Sequence, residues 1–213
     1  MSKKTLDAYF QLMEERPELF EELESYPIVR DRRVLEQYEN ESERTLGVVY
    51  QSPYHLLLVD AIQTQESCFL YERVVPIAKG RGVVCIPVYR DKMILLRQQR
   101  HAIRNTQICF PRGFGEQELS GIENAKKELE EEIGAVVGAC SCLGCIHADS
   151  GLTSGCCDVI RCEVESYLEE ATQEGIQEVI LMDQAGLEAA IRNNEIDDGF
   201  TLSAYALMKA RQI

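Results

Sequence analysis

Lys127-Glu128-Leu129-Glu130-Glu131-Glu132-Ile133-Gly134 is the stretch of sequence that decides the fold. Apolar side chains recur through it and before it at the spacing of one helix face, at Ile122, Ala125, Leu129 and Ile133. This spacing predicts an α-helix with a buried stripe. Gly134 is typical of the residue that ends such a helix.

The acids of this helix form a second pattern. At about 100° per residue, Glu128, Glu131 and Glu132 lie close together beside the apolar stripe, whereas Glu130 is expected to face water. Carboxylates crowded near the carboxyl end of a helix repel one another and meet the negative end of the helix dipole. The pattern is typical of a solvated acidic face, in which Lys127 pairs with Glu131, or of a site for hard divalent cations.

The flanking sequence predicts strands on both sides of the acidic helix. Apolar runs bounded by turn residues lie at 56–59, 68–71, 82–88 and 93–96 before it, and at 136–146, 156–164 and 178–182 after it. Two helical patterns follow, at 185–192 and 200–211. This order predicts an α+β domain in which a mixed β-sheet is flanked by helices.

The first fifty residues have a different character. Apolar residues at helical spacing before Pro17 predict a short amphipathic helix. These residues are Leu6, Tyr9, Phe10 and Met13. Residues 28–46 are rich in charge and predict a linker with one edge strand. We therefore expect an N-terminal extension over residues 1–49 and the main domain over residues 50–213.

The composition limits the function. The 213 residues include 22 Lys and Arg against 36 Asp and Glu, and the net charge of −14 argues against a broad nucleic-acid or anionic-membrane surface. The start of the chain lacks the apolar core of a signal peptide, and no apolar run is long enough to span a bilayer. A cytoplasmic location is therefore expected.

Nine cysteines are an odd number, and several lie in apolar strand patterns, which favours reduced thiols over a disulfide framework. The alternative is a zinc or redox site. Its members would be Cys140, Cys142, Cys145, Cys156 and Cys157. Only Cys142 and Cys145 have the Cys-x-x-Cys spacing that structural zinc usually requires.

The acidic helix and the loop before it resemble the Nudix box, which runs Gly, five residues, Glu, seven residues, then Arg-Glu-apolar-x-Glu-Glu-x-Gly-apolar. Gly113 and residues 127–135 match this pattern, except that Lys127 replaces Arg and Leu119 replaces the first Glu. Segments that resemble ADP-ribose and nucleoside-diphosphate-sugar pyrophosphatases lie at 95–101, 110–113, 151–154 and 195–202. The resemblance covers about residues 50–213 and implies a Nudix hydrolase with an α/β/α sandwich fold.

The resemblance also implies a metal site. In the family, acids of the box bind Mg²⁺ or Mn²⁺, which implies Glu128 and Glu132 as direct ligands and Glu131 as a further ligand or supporting acid. The backbone carbonyl at Arg112 usually completes the metal site in related pyrophosphatases. Glu116 stands where those enzymes place an additional acid.

The general base in this subfamily tends to come from a mobile loop late in the chain. That position implies Glu170 and Glu174 as candidates, and Glu131 is a third. A polar hairpin loop without a catalytic role is the alternative for Glu170 and Glu174.

Cationic side chains are implied for the diphosphate and the ribose. Arg100 fits the family position best, followed by Arg97 and Arg112, and the planar donors of arginine suit phosphate. For Arg97, an exposed salt bridge is an equally good interpretation.

The implied function is Mg²⁺-dependent hydrolysis of the pyrophosphate bond of a nucleoside diphosphate linked to a sugar. ADP-ribose is the preferred substrate, with AMP and ribose 5-phosphate as products. One alternative is a Nudix-like module that binds a nucleotide without cleaving it. Another is a Nudix hydrolase of a dinucleoside polyphosphate or nucleoside triphosphate. Relatives often dimerise through N-terminal strands, so we expect a homodimer in which a second subunit covers the apolar face of the N-terminal helix.

Overall fold

The structure is a computed structural model that describes residues 2–170 and 175–212. The chain forms two compact units, one of residues 1–77 with 149–154 and the other of residues 78–148 with 155–213. Among the described residues, no helix is long and apolar enough to cross a membrane.

The first unit combines helices with a three-stranded sheet. Its helices are α1 (Ser2–Glu15), a 3-10 turn (Pro17–Phe20) and α2 (Arg32–Ser42), and its strands are β1 (Gly47–Gln51), β2 (His55–Gln63) and β3 (Cys68–Pro76). The strands pair antiparallel in the order β1-β2-β3. Strand β2 pairs with β1 and β3 pairs with β2, so residues 1–77 belong to one unit, together with residues 149–154. The sequence places the division between extension and main domain earlier, at residue 50.

Helix α1 packs its apolar face into the core of the first unit. Leu6 and Tyr9 are buried, and Phe10 and Met13 are partly buried against the same core. The predicted amphipathic helix is therefore confirmed. Its apolar face is covered by its own unit, so burial of this face gives no argument for a second subunit.

A buried carboxylate links α1 to the sheet of the first unit. Asp60 on β2 accepts a hydrogen bond from the Tyr9 hydroxyl and ion-pairs with Arg73 on β3, whose Nε lies 2.6 Å from Asp60 Oδ2. The Arg73 guanidinium also lies over the ring of Phe20, 5.1 Å from its centroid. Both carboxylate oxygens of Asp60 therefore have partners.

Helix α2 lies where the sequence predicts a linker with an edge strand, and that prediction is wrong. The Asp31 side chain caps the helix by accepting from the backbone N–H groups of Arg33 and Val34. Leu35 is buried, whereas Val34 is exposed, so the apolar stripe is too sparse to give a helical period. The predicted edge strand is reduced to one bridge between Ile28 and Ile62.

The second unit is built on a seven-stranded mixed sheet. Its elements are β4 (Gly82–Tyr89), β5 (Lys92–Arg100), a 3-10 turn (His101–Ile103), β6 (Asn105–Cys109), β7 (Arg112–Gly113), α3 (Gly121–Ile133), β8 (Val136–Ile146), β9 (Cys157–Ser166), β10 (Ile176–Met182), α4 (Gln184–Arg192) and α5 (Gly199–Ala210). The order is β10-β5-β4-β9-β8, with β6 on β5 and β7 on β4. Strands β4 and β9 run parallel and the other pairs are antiparallel.

Helices cover both faces of this sheet, because successive apolar side chains along a strand point to opposite faces. Val83 and Cys85 belong to a core cluster with Ala125 and Leu129 of α3. Val84, the residue between them, belongs to a second cluster that contains residues of α4 and α5. The α/β/α sandwich with a mixed sheet is therefore confirmed, and so is the apolar stripe of the acidic helix at these positions.

Strands β4 and β5 pair with each other only next to their connecting turn, at Val88 with Met93 and Tyr89 with Lys92. Farther from the turn, β7 pairs with β4 and β6 pairs with β5. This arrangement sets Gly113 opposite Val83 and Cys109 opposite Leu96. The sequence does not predict β1, β6 or β7, which are short.

The segment between β9 and β10 is bonded at both of its described ends. The backbone N–H of Leu168 donates to the carbonyl of Ile133, the last residue of α3, at 2.8 Å. The backbone N–H of Gln99 on β5 donates to the carbonyl of Gly175 at 2.9 Å. The two ends of this segment are therefore attached to different elements of the second unit.

Candidate active site

Helix α3 is closed at both ends by local interactions that the sequence encodes. Ser120 and Glu123 form a capping box, and Gly134 adopts the left-handed conformation with φ of 58° at the carboxyl end. The predicted stop at Gly134 is confirmed. Ile122, in the first turn of the helix, is 36% exposed and does not belong to the buried stripe.

The acids of α3 divide into two groups that the sequence does not separate. Glu132 is only 3% exposed and Glu128 is half-buried, whereas Glu130 and Glu131 are exposed. Lys127 lies 3.5 Å from Glu131 and also pairs with Glu116. The predicted solvated pair of Lys127 and Glu131 therefore exists. Lys127 thus pairs with two of the predicted metal acids, Glu116 and Glu131.

Glu132 is the acid with the most unusual surroundings. Its Oε2 atom is buried and has no hydrogen-bond partner among the described residues. Burial, followed by the neighbouring charge of Glu128, raises the pKa of Glu132 to about 8, while the positive charges of Arg100 and Arg112 act in the opposite direction. Burial, followed by the charge of Glu131, also raises the pKa of Glu128.

Gly113 leaves the space that the Glu128 side chain fills. A Cβ atom built at Gly113 would lie 1.9 Å from Glu128 Cδ and 2.0 Å from its Oε1 atom. A side chain at the first glycine of the box would therefore displace the Glu128 carboxylate from its position. The backbone of Arg112, which precedes Gly113 on β7, therefore also lies beside α3.

Arg100 ends β5 beside a buried thiol. Its NH2 atom lies 3.0 Å from the sulfur of Cys109, which is fully buried on β6. The buried Nε of Arg100 has no hydrogen-bond partner among the described residues. Its positive charge acts on Glu132. Arg100, which has an unused donor, and Glu132, which has an unused acceptor, therefore lie near each other among the described residues.

Arg112 is held by residues at the start of α5. Its NH1 atom lies 3.0 Å from Asp198 Oδ1, and its guanidinium lies 4.4 Å from the centroid of the Phe200 ring. The charge of Arg112 also acts on Glu132. The structure therefore brings Arg112 toward the predicted site, although its guanidinium already has a carboxylate partner.

Arg97 has the alternative role that the sequence analysis left open. It lies on β5 opposite Glu178 of β10, and its Nε is 2.8 Å from Glu178 Oε2 with both side chains largely exposed. This contact is a surface cross-strand ion pair, which contributes little to stability.

The residues fit a divalent cation, as judged from the donor set. Within residues 2–170 and 175–212, no three His, Cys, Asp or Glu side chains are grouped to hold a metal ion, so neither the acids nor the cysteines form a ready-made cage. Glu128 and Glu132 nevertheless supply hard oxygen donors, and Glu132 leaves one of them buried without a partner. A buried polar atom of this kind usually marks a missing partner.

The remaining predicted groups lie outside this set. Glu170 is exposed in the segment after β9, and Glu174 falls outside the described residues. All nine cysteines are free thiols in the structure.

Three residues of the site are missed by sequence reasoning: Cys109, Asn124 and Asp198. Asn124 is buried, and its amide nitrogen donates to the carbonyl of Phe114 at 2.8 Å, which joins α3 to the loop after Gly113. A signal existed for Asp198, because an acid followed by a glycine before a helical pattern is typical of a helix start. No sequence signal marks Cys109.

Buried carboxylates on a helix with arginines near them are typical of a hydrolase that handles phosphates with a divalent cation. The family profile of the NUDIX domain matches residues 78–199, which is more than half of the chain. The chain therefore belongs to the Nudix family. The family prediction is confirmed, and so is the prediction of an enzyme of the Nudix pyrophosphohydrolase class.

Among solved structures, the chain is similar to one described as the crystal structure of an ADP compounds hydrolase. The TM-score is 0.70 at 16% sequence identity, and the similarity covers 89% of this chain and 95% of that chain. At this identity the similarity shows the fold alone, and it agrees with the predicted Nudix fold. No curated protein matches the sequence.

Proposed function

We propose that the protein hydrolyses the pyrophosphate bond of a nucleoside diphosphate linked to a sugar, with Mg²⁺ or Mn²⁺ and with ADP-ribose as the preferred substrate. Water adds across one P–O–P linkage, one P–O bond breaks, and AMP and ribose 5-phosphate leave. The observation that carries the proposal is the buried oxygen of Glu132, which has no hydrogen-bond partner within residues 2–170 and 175–212. The positive charges of Arg100 and Arg112 act on this carboxylate.

Glu128 and Glu132 would hold the cation, together with the backbone carbonyl of Arg112. Bound Mg²⁺ supplies charge neutralisation at the diphosphate and lowers the pKa of a water molecule. The carboxylates have a physical reason to accept it, because their burial and mutual repulsion penalise two uncompensated negative charges.

Arg100 would bind the diphosphate. Its unpartnered Nε is a donor available for a phosphate oxygen, and Cys109 fixes the other side of the guanidinium. A buried donor atom without a partner is costly unless a ligand satisfies it. Arg112 would contribute positive charge, and Arg97, in its surface ion pair, has the weakest claim to this role.

The general base is one of Glu131, Glu170 and Glu174. Glu131 is exposed and shares Lys127 with Glu116, which favours a role other than direct metal binding in the resting protein. A base needs access to water, and the exposed positions of Glu131 and Glu170 meet this requirement.

A second function is a nucleotide-binding module that does not cleave its ligand. The observation in its favour is Lys127, which replaces the arginine of the box and pairs with two of the predicted acids. A hydrolase of another nucleotide, such as a dinucleoside polyphosphate or a nucleoside triphosphate, uses the same carboxylates and differs only in the substrate that it prefers.

The experiment is a substrate panel with Mg²⁺ and with Mn²⁺: ADP-ribose, other sugar nucleotides, dinucleoside polyphosphates and nucleoside triphosphates. We expect AMP release from ADP-ribose to be fastest and Glu132→Gln to lower kcat/KM about 10³-fold or more, as for loss of a group that stabilises charge in the transition state. Glu130→Gln is the matched control, because Glu130 is exposed on the same helix. Binding of ADP-ribose without turnover by the folded wild type would favour the binding module, and a preference for triphosphates would change the substrate class.

The homodimer and the cytoplasmic location stay predictions from the sequence. The first is checked by light scattering of the purified protein, where a monomeric mass would remove it. The second is checked by fractionation of the cells that express it.

A further inference from the structure

We propose that Asp198 is a positioning residue of the active site, which holds the Arg112 guanidinium at the start of α5 and so keeps this cation from ion-pairing with Glu132. The inference rests on the proposed function only in taking Glu132 as a carboxylate that must stay available to a divalent cation. It assigns a role to a buried acid that is not part of the Nudix box.

Asp198 and Arg112 form an ion pair with little access to water. Their closest atoms are 3.0 Å apart, and the side chains are 5% and 23% exposed, respectively. On one face of the guanidinium lies the ring of Phe200, at 4.4 Å from its centroid. An arginine stacked on an aromatic ring and paired with a buried carboxylate has one preferred position.

The position of the Asp198 carboxylate is itself fixed. Its Oδ2 atom accepts from the backbone N–H of Thr201 at 2.9 Å and from the Thr201 hydroxyl at 2.7 Å. The same hydroxyl oxygen accepts from the backbone N–H of Phe110 at 2.9 Å, and Thr201 is fully buried. This chain of bonds ties α5 to residue 110, two positions before Arg112.

Glu132 is the carboxylate that a released Arg112 would meet. The charge of Arg112 acts on Glu132 across the site, and one buried oxygen of Glu132 has no partner among the described residues. A long, flexible side chain that loses its buried carboxylate partner pairs with another, because an unpaired buried charge is costly. Glu132 paired with Arg112 is neutralised, and a divalent cation must then displace an arginine in order to bind.

The test measures Mg²⁺ binding directly, by calorimetry and by the rise in Tm that Mg²⁺ causes, with substrate-free protein. Asp198→Asn keeps an oxygen that accepts from Thr201, so the helix cap is retained while the charge opposite Arg112 is lost. We expect this variant to bind Mg²⁺ about 10-fold more weakly than the wild type. Asp183→Asn is the matched control, because Asp183 caps α4 in the same way, by accepting from Gly186 at 2.7 Å, and it lies outside the site.

The decisive variant combines Asp198→Asn with Arg112→Gln. If Asp198 acts by holding Arg112, removing the arginine removes the competitor, so the double variant should regain Mg²⁺ affinity to within about 2-fold of the wild type. A purely structural role for Asp198 predicts no such rescue. Asp198→Ser, which also caps a helix, is used if the Asn variant does not fold, and the same outcomes apply to it.

Two results overturn the inference: wild-type Mg²⁺ affinity in Asp198→Asn, or a double variant that binds Mg²⁺ as weakly as the single one. Neither result touches the proposed function. Failure of the wild-type protein to bind Mg²⁺ or Mn²⁺ at all removes both, and the substrate panel above identifies that case separately.

Discussion

Two buried carboxylates, one in each unit of the chain, have opposite surroundings. Asp60 is 2% exposed and receives the Tyr9 hydroxyl and two nitrogens of Arg73, with Nε at 2.6 Å and NH2 at 3.3 Å. Glu132 is 3% exposed and keeps an oxygen without a partner among the described residues. The two side chains are buried to the same extent, but their oxygens differ in the number of hydrogen-bond partners.

On the proposed function, this difference separates an acid that supports the fold from an acid that binds a ligand. A buried charge that is fully paired is compensated within the protein, so removing one partner is destabilising. A buried charge with an unused acceptor costs stability in the free protein and repays this cost when a ligand binds. Burial of an acid alone therefore says little about its function, whereas the hydrogen-bond and ion-pair partners of its oxygens say much more.

The largest expected effect contrasts the two acids directly. Asp60→Asn should lower the free energy of unfolding by about 3 kcal/mol, because it leaves Arg73 without its carboxylate in a mostly buried site. Glu132→Gln should not lower it in metal-free buffer, because it removes an acid whose charged form is not compensated in the folded protein. Urea unfolding followed by circular dichroism measures both, and equal destabilisation of the two variants would break the comparison.

The next effect concerns the second carboxylate of the site. Gly113→Ala should lower kcat/KM about 10²-fold, because the new methyl group occupies the place of the Glu128 carboxylate and displaces it. Only the end of a flexible side chain has to move, so the Tm should change little. Gly115→Ala is the contrast, since its methyl group would meet the backbone carbonyl oxygen of Gly80 at 2.1 Å and should destabilise the fold. A loss of Tm in Gly113→Ala as large as that in Gly115→Ala would contradict this explanation.

A smaller effect is the pH dependence of stability in metal-free protein. The folded protein raises the pKa of Glu132 from 4.5 to about 8, so below pH 4.5 the carboxyl is neutral in both states and costs nothing. Between pH 4.5 and 8 the unfolded chain releases this proton while the folded protein retains it, so stability falls as pH rises. The contribution is on the order of 2 kcal/mol between pH 5 and 8. Unfolding with EDTA at several pH values should show a flatter dependence for Glu132→Gln, and parallel curves would show that the acid is not responsible.

The smallest effect lies on the surface of the second unit. Hydrogen bonds lower the pKa of Glu188 to about 2. The largest contribution comes from Tyr205, followed by Lys209 and then Gln184. The stability that this acid contributes is present above pH 4.5 and is lost as the pH falls from 4.5 toward 2. Acid unfolding of Glu188→Gln should therefore lack a small part of the wild-type pH dependence below pH 4.5. Added salt should weaken the same part, since the site is exposed.

Helix α3 shows how much of the fold a sequence can predict. Its stripe at Ala125, Leu129 and Ile133 and its stop at Gly134 follow from spacing, because both depend on residues within one helix. The sandwich follows in the same way from the order of strand and helix patterns. Helix α2 was not predictable by this reasoning, because packing of the isolated Leu35, together with the Asp31 cap, stabilises a segment whose charges give no period.

The site was predictable only in part. Spacing identifies the acidic face of α3, but the difference between Glu131 and Glu132 depends on the strands that pack beneath the helix, and these strands come from distant parts of the chain. The same limit applies to Cys109 beside Arg100 and to Asp198 beside Arg112, since no local pattern records which side chain lies opposite an arginine. The exposed surface pair of Arg97 was one of two interpretations that the sequence left open, and the register of β5 with β10 explains it.

The bonds at Leu168 and Gly175 restrict where a base from this segment can act. Glu170 follows Leu168 by two residues, so its Cα lies no more than ~7 Å from the Cα of Leu168, whose backbone N–H donates to Ile133 at the carboxyl end of α3. The described end on the other side, Gly175, is bonded instead to Gln99 of β5, one residue before Arg100. The described ends of this segment are therefore attached to α3 on one side and to β5 on the other. On the proposed function, replacing Glu170 and Glu174 in turn tests whether a base comes from this segment.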